Sequence, residues 1–168
     1  GADRIAEVGD VGILVQAAGY RHLEEVVAWN RAVLEASTAE LAQGRMPVML
    51  GGDHCLAMGS ITAVARHCRQ AGRKLRVLWL DAHSDFNTSE VTPSGNIHGM
   101  PVACLCGLGP DALTRLGGSA PAITPAQCVP CAIWSRAQVE VFPWLVRSMP
   151  FWLLNFSTSQ STMRWSQS

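Results

Sequence analysis

The sequence predicts an α/β protein, a three-layer α/β/α arrangement around a parallel sheet, and three observations lead there. Its apolar runs are continuous rather than alternating, as in "PVMLGGDH" from Pro47 and "LRVLWLDAH" from Leu75. These runs are separated by segments of helical period. Each run also empties into charged residues at its carboxyl end: Asp53 and His54 after the first, Asp81 to Asp85 after the second. Strands buried on both faces read as unbroken apolar stretches, and the carboxyl edge of such a sheet is where ligands bind.

The elements follow in order. Arg21 to Gly44 predicts one amphipathic helix: Leu23, Val26, Val27, Val33, Leu34 and Leu41 recur near helical spacing, with Glu24, Glu25, Arg31 and Glu35 between them. Gly44 and Pro47 mark its end. The run from Pro47 predicts a short buried strand closed by Gly51 and Gly52. "CLAMGSITAVARHCRQAG" then returns to helical period through Ala57, Ile61, Val64, Ala65 and Cys68 and stops at Gly72. "LRVLWLDAH" predicts the next buried strand, and the Gly/Pro-rich "TPSGNIHGMP" predicts a loop before the short apolar "VACLCGLG".

Composition excludes several classes of function. The 168 residues suit a single domain, and 13 basic residues against 13 acidic ones leave no patch for nucleic acid or an acidic membrane. No stretch reaches the roughly 18 apolar residues of a membrane span, and "GADRIAEVGD" lacks the charge pattern of a secretory signal. These features predict a cytoplasmic protein whose six cysteines stay reduced. Cys128-Val-Pro-Cys131 has the spacing of a zinc or redox pair, but Pro130 disfavours the helix a redox site needs, so the cysteines are read as small core residues.

Asp81, His83 and Asp85 are spaced two apart, so an extended backbone would point all three to one side. Two carboxylates and an imidazole suit a hard divalent cation such as Mn²⁺ better than a thiolate zinc site does. His54, from the preceding strand end, is a fourth candidate ligand. Asp53 beside it is assigned to turn or supporting hydrogen bonds rather than to the metal.

"VMLGGDHCLAMGSI" and "LWLDAHSDFNTSEVTPSGNIHGMPVA" resemble the arginase (ureohydrolase) family, most clearly between Pro47 and Leu105. The resemblance implies an arginase/deacetylase-like fold and hydrolysis of L-arginine to L-ornithine and urea through a metal-bound hydroxide at a two-manganese centre. It implies His54, Asp81 and Asp85 on one ion, with Asp81 bridging to a second held by His83. Asn87 and Ser94 would meet the substrate α-carboxylate, Asn96 would support the same region, and His98 would relay a proton to the leaving amine. Family members are homo-oligomers. "DFN" followed by "SGNIHG" resembles arginase more than agmatinase or guanidinobutyrase, which remain the alternative, together with a non-catalytic metal-binding fragment.

The resemblance is not visible beyond Gln127. The family's later D-x-D-x-x-D-P motif and its guanidinium-binding glutamate are missing, and Glu140 is the one acidic residue after Asp111. One ion would keep His54, Asp81 and Asp85, and the other only Asp81 and His83, which predicts that this chain holds one ion or none. Trp134, Trp144, Trp152 and Trp165, the Ser/Thr-rich end, and arginine at every basic position but Lys74 suggest off-frame GC-rich coding. The expected organisation is an arginase-like fragment at 1–127 and a divergent or frame-shifted tail at 128–168, outside the sheet.

Overall fold

The computed structural model describes residues 20–92, 94–131 and 154–155. Helix α1 spans Leu23–Ala42 and α2 spans Ala57–Gln70, preceded by a 3-10 turn at His54–Leu56. Strand β1 is Val77–Leu80. A second 3-10 turn at Ile97–Gly99 leads into α3, Pro101–Leu105, and then α4, Asp111–Thr114. Strands β2, Cys128–Cys131, and β3, Leu154–Asn155, complete a parallel sheet in the order β2-β1-β3. Val77 pairs with Cys128 and Leu80 with Cys131, while Leu78 and Trp79 pair with Leu154 and Asn155.

The α/β class and parallel pairing expected from the continuous apolar runs are both present. Helix α1 buries Leu23, Val27, Asn30, Val33, Leu34, Ser37 and Leu41, a stripe of three- and four-residue steps. Its start is two residues later than Arg21 because His22 is left-handed, with φ 56°. Helix α2 is buried along nearly its whole length, with Met58 and Ile61 fully enclosed. Gly72, at φ +63°, ends it, and the Arg73 N–H reaches back 2.8 Å to the Cys68 carbonyl.

The two helices are locked by one polar residue. Asn30 is fully buried; its Nδ2 donates to the Val26 carbonyl at 2.8 Å, and its Oδ1 accepts the Gly59 N–H at 2.6 Å. A side chain at Gly59 would stand 2.4 Å from the Asn30 carbonyl oxygen, so glycine is what lets α2 approach α1 this closely.

Two expectations are corrected. Pro47–Leu50 is not a strand: it makes no ladder among the described residues, and Met46, Val48 and Leu50 are exposed. A strand exists only through lateral pairing, and both edges of β1 are occupied by β2 and β3. The second correction concerns residues after Gln127, expected outside the sheet: 128–131 and 154–155 are hydrogen-bonded into it. The remainder of the expected tail lies outside the described residues. The extended backbone at Cys128–Cys131 also lacks the turn on which a C-x-x-C metal or redox site is built, and Cys128 packs against the core.

Candidate metal centre

The site forms where β1 ends. Asp81 follows Leu80 directly, and the chain bends there because the Asp81 Oδ1 accepts the His83 N–H at 2.8 Å. Asp85 then adopts a left-handed backbone, φ 47°, which returns its carboxylate to the side Asp81 faces. From the other direction, Gly51 and Gly52 turn left-handed at φ +96° and +73° and deliver the chain into the 3-10 turn that begins with His54. Asp53 caps that turn by accepting the Cys55 N–H at 2.7 Å, the turn role expected of it.

His54, Asp81 and Asp85 converge. The His54 Nδ1 lies 2.5 Å from the Asp85 Oδ2 and 2.9 Å from the Asp81 Oδ2, and one ligand atom from each residue falls within 4.8 Å of the others. Their side chains are only 14%, 11% and 6% exposed, in that order. The His54 ring meets Trp79 of β1 edge-on, with centroids 5.6 Å apart, which fixes the imidazole from behind. His54 holds its proton above the ordinary 6.5, chiefly through its hydrogen bond to Asp85; burial opposes this, and the charges of Asp85, Asp81 and Asp53 add to it.

This donor set fits a hard divalent cation. Neighbouring ligands of an octahedral ion stand roughly 3 Å apart, near the 2.5 and 2.9 Å from the His54 Nδ1 to the two carboxylates. Two nearly buried carboxylates share a single imidazolium at most, so the cluster carries excess negative charge that a cation offsets.

The other expected residues are placed less uniformly. His83 does not join the cluster: its side chain is 80% exposed, with Nδ1 3.4 Å from the Asp81 Oδ1. The bend after Leu80 breaks the two-residue alternation that would have turned it inward. Asn87 is exposed, and its N–H donates to the Gly99 carbonyl at 3.1 Å. Ser94 accepts the Asn96 N–H at 3.2 Å. Asn96 bridges in parallel to Arg21, whose N–H donates to the Gly95 carbonyl at 3.1 Å. His98, exposed in the second 3-10 turn, lines an open cleft of about 610 Å³ with Arg21, Glu25, Trp29, Asp53 and Asn96.

Sequence reasoning had not singled out Arg21 or Gly99, the residues that tie this loop to α1 and to Asn87. The glycine after His98 was the available signal for the second. Arg21 offered none beyond standing at a helix start.

An α/β protein in which a half-buried histidine and two aspartates converge at the carboxyl end of a parallel sheet has, at the edge where such folds bind ligands, a group that could hold a cation. The arginase family model matches residues 3–137, and the chain belongs to the arginase family. It is 42% identical to the arginase of Bacillus caldovelox over 139 residues, covering 83% of this chain and 43% of that protein. The solved structure of the Bacillus caldovelox arginase superposes with a TM-score of 0.65 at 37% identity, over 83% of this chain and 46% of that one. Entamoeba histolytica arginase in complex with L-ornithine superposes with a TM-score of 0.64 at 31% identity, over 83% and 47%. The chain therefore spans less than half the length of these relatives.

Proposed function

We propose that this chain carries the histidine–aspartate half of an arginase centre, which hydrolyses L-arginine to L-ornithine and urea with Mn²⁺. The observation that carries the reading is the convergence of His54, Asp81 and Asp85 in a chain of this family. His54, Asp81 and Asp85 would hold one ion, and Asp81 and His83 would contribute to a second. A bound divalent pair supplies Lewis acidity and an ionised water at neutral pH.

The chain's own residues supply binding and proton transfer. Asn87 and Ser94 offer neutral donors to the substrate α-carboxylate from one loop, and Asn96 supports them through its tie to Arg21. His98, open to solvent at the cleft, carries a proton between bulk water and the departing amine, as an imidazole can. L-ornithine in the Entamoeba histolytica structure supports an amino-acid product. A cytoplasmic setting and assembly into homo-oligomers complete the reading.

A second reading, a one-cation protein without turnover, is favoured by the outward His83. Mn²⁺ titration by calorimetry, followed by urea assays on L-arginine and agmatine, separates the two. Binding of two ions with arginine turnover supports the arginase reading. One ion with no urea supports the second, and a preference for agmatine overturns the choice of substrate.

A further inference from the structure

We infer that Gly99 is a positioning residue for Asn87: the missing side chain at 99 leaves the room in which the Asn87 amide is aimed at a ligand carboxylate. The inference rests on the proposed role of Asn87 as a carboxylate donor. A Cβ built on Gly99 would lie 3.3 Å from the Asn87 Nδ2, tighter than ordinary packing and directed at that one group. Gly99 lies outside the left-handed region, so alanine fits its backbone without strain. The requirement for glycine here is therefore spatial, not conformational.

Neither backbone can retreat from that contact. The Asn87 N–H is bonded to the Gly99 carbonyl at 3.1 Å, and the Val102 N–H is bonded to the Asp85 carbonyl at 3.0 Å, which pins the two segments on either side of the contact. The Ile97–Gly99 turn is held in place by Ile97, which is buried, and by the Met100 N–H on the Ile97 carbonyl at 2.9 Å. With both backbones held, a methyl at 99 pushes the exposed Asn87 amide aside by about a few tenths of an ångström. A displaced amide presents its N–H to a different point in space, and a carboxylate recognised by that N–H loses its alignment. A ligand with no carboxylate is indifferent to the change.

The test uses the full chain loaded with Mn²⁺, with Gly99→Ala compared against the parent. L-ornithine and putrescine, which differ by the carboxylate, serve as calorimetric probes, and the Asn87 side-chain amide is followed by ¹⁵N NMR. The expected result is a moved Asn87 resonance and an L-ornithine affinity lowered about three- to tenfold, with putrescine unchanged. Asn87→Ala/Gly99→Ala relieves the crowding and should match Asn87→Ala alone for both probes, even if the single glycine variant folds poorly. An unmoved Asn87 resonance, or an equal loss for both probes, overturns the inference. If the parent itself does not distinguish L-ornithine from putrescine, the carboxylate role of Asn87 fails first, and the inference falls with it for that separate reason.

Discussion

The Nδ1 of His54 meets the Oδ2 of Asp85 at 2.5 Å although 31 residues separate them, and the same nitrogen stands 2.9 Å from Asp81. Without a cation, that nitrogen carries the proton that holds the two carboxylates together. With one, its lone pair is a ligand. Asp85→Asn removes a charge from the cluster and should lower Mn²⁺ affinity by about tenfold or more in a calorimetric titration. His83→Ala should leave the first ion's affinity within about twofold, since its side chain lies outside the cluster. Equal losses for both variants would contradict the arrangement.

Proton and cation compete at His54, so the two pH profiles should oppose each other. The folded-state pKa of His54 is raised above its unfolded value of 6.5, first by the hydrogen bond to Asp85. The stability this contributes to the cation-free protein is complete below pH 6.5 and is lost as pH rises through the folded value. Mn²⁺ affinity should climb over the same range. Thermal melts without metal and calorimetry with it, at stepped pH, check both slopes; His54→Gln should flatten them together.

The α1–α2 contact should be intolerant of added volume. Gly59→Ala places a methyl against the Asn30 carbonyl and should cost about 1–3 kcal/mol in urea denaturation. Asn30→Ala leaves the Gly59 N–H and the Val26 carbonyl without their side-chain partner, at a similar cost of about 1–3 kcal/mol. A neutral Gly59→Ala would mean that the helices stand farther apart than described.

Buried thiols should resist modification. Burial pushes Cys104 up to about 12, and burial together with the Asp53 hydrogen bond and charge raises Cys55 further. Iodoacetamide mapping by mass spectrometry at neutral pH should find both protected in the native protein and labelled in denaturant. Rapid native labelling of Cys104 would place α3 outside the core.

Helices and β1 were legible because one chain segment carries their signal: the stripe from Leu23 to Leu41, the stop at Gly72, the unbroken "VLWL". The run at Pro47–Leu50 carried the same apolar signal and is not a strand, since pairing depends on a partner that composition does not name. Asp81 and Asp85 converge while the His83 side chain lies outside the cluster, because the Asx turn at Asp81 overrides strand alternation. His54 was legible as a fourth candidate ligand from its place after the apolar run at Pro47, and the resemblance of "GGDH" and "DAHSD" to a family set it on one ion with those aspartates. The spacing of Asn87 from Gly99 has no sequence signature, since a contact between a side-chain nitrogen and an absent Cβ is a property of the folded loop.

The unpaired run before the site has a colloidal consequence. Met46, Val48 and Leu50 are 72%, 70% and 89% exposed on a backbone with no ladder among the described residues. An exposed, uncharged, apolar segment of this kind invites association with other apolar surfaces. Light scattering on concentrated samples should fall when Val48→Lys and Leu50→Glu are introduced together. The working concentration of the protein would then be governed by five residues beside the candidate metal centre, however stable the rest of the fold is to heat or denaturant.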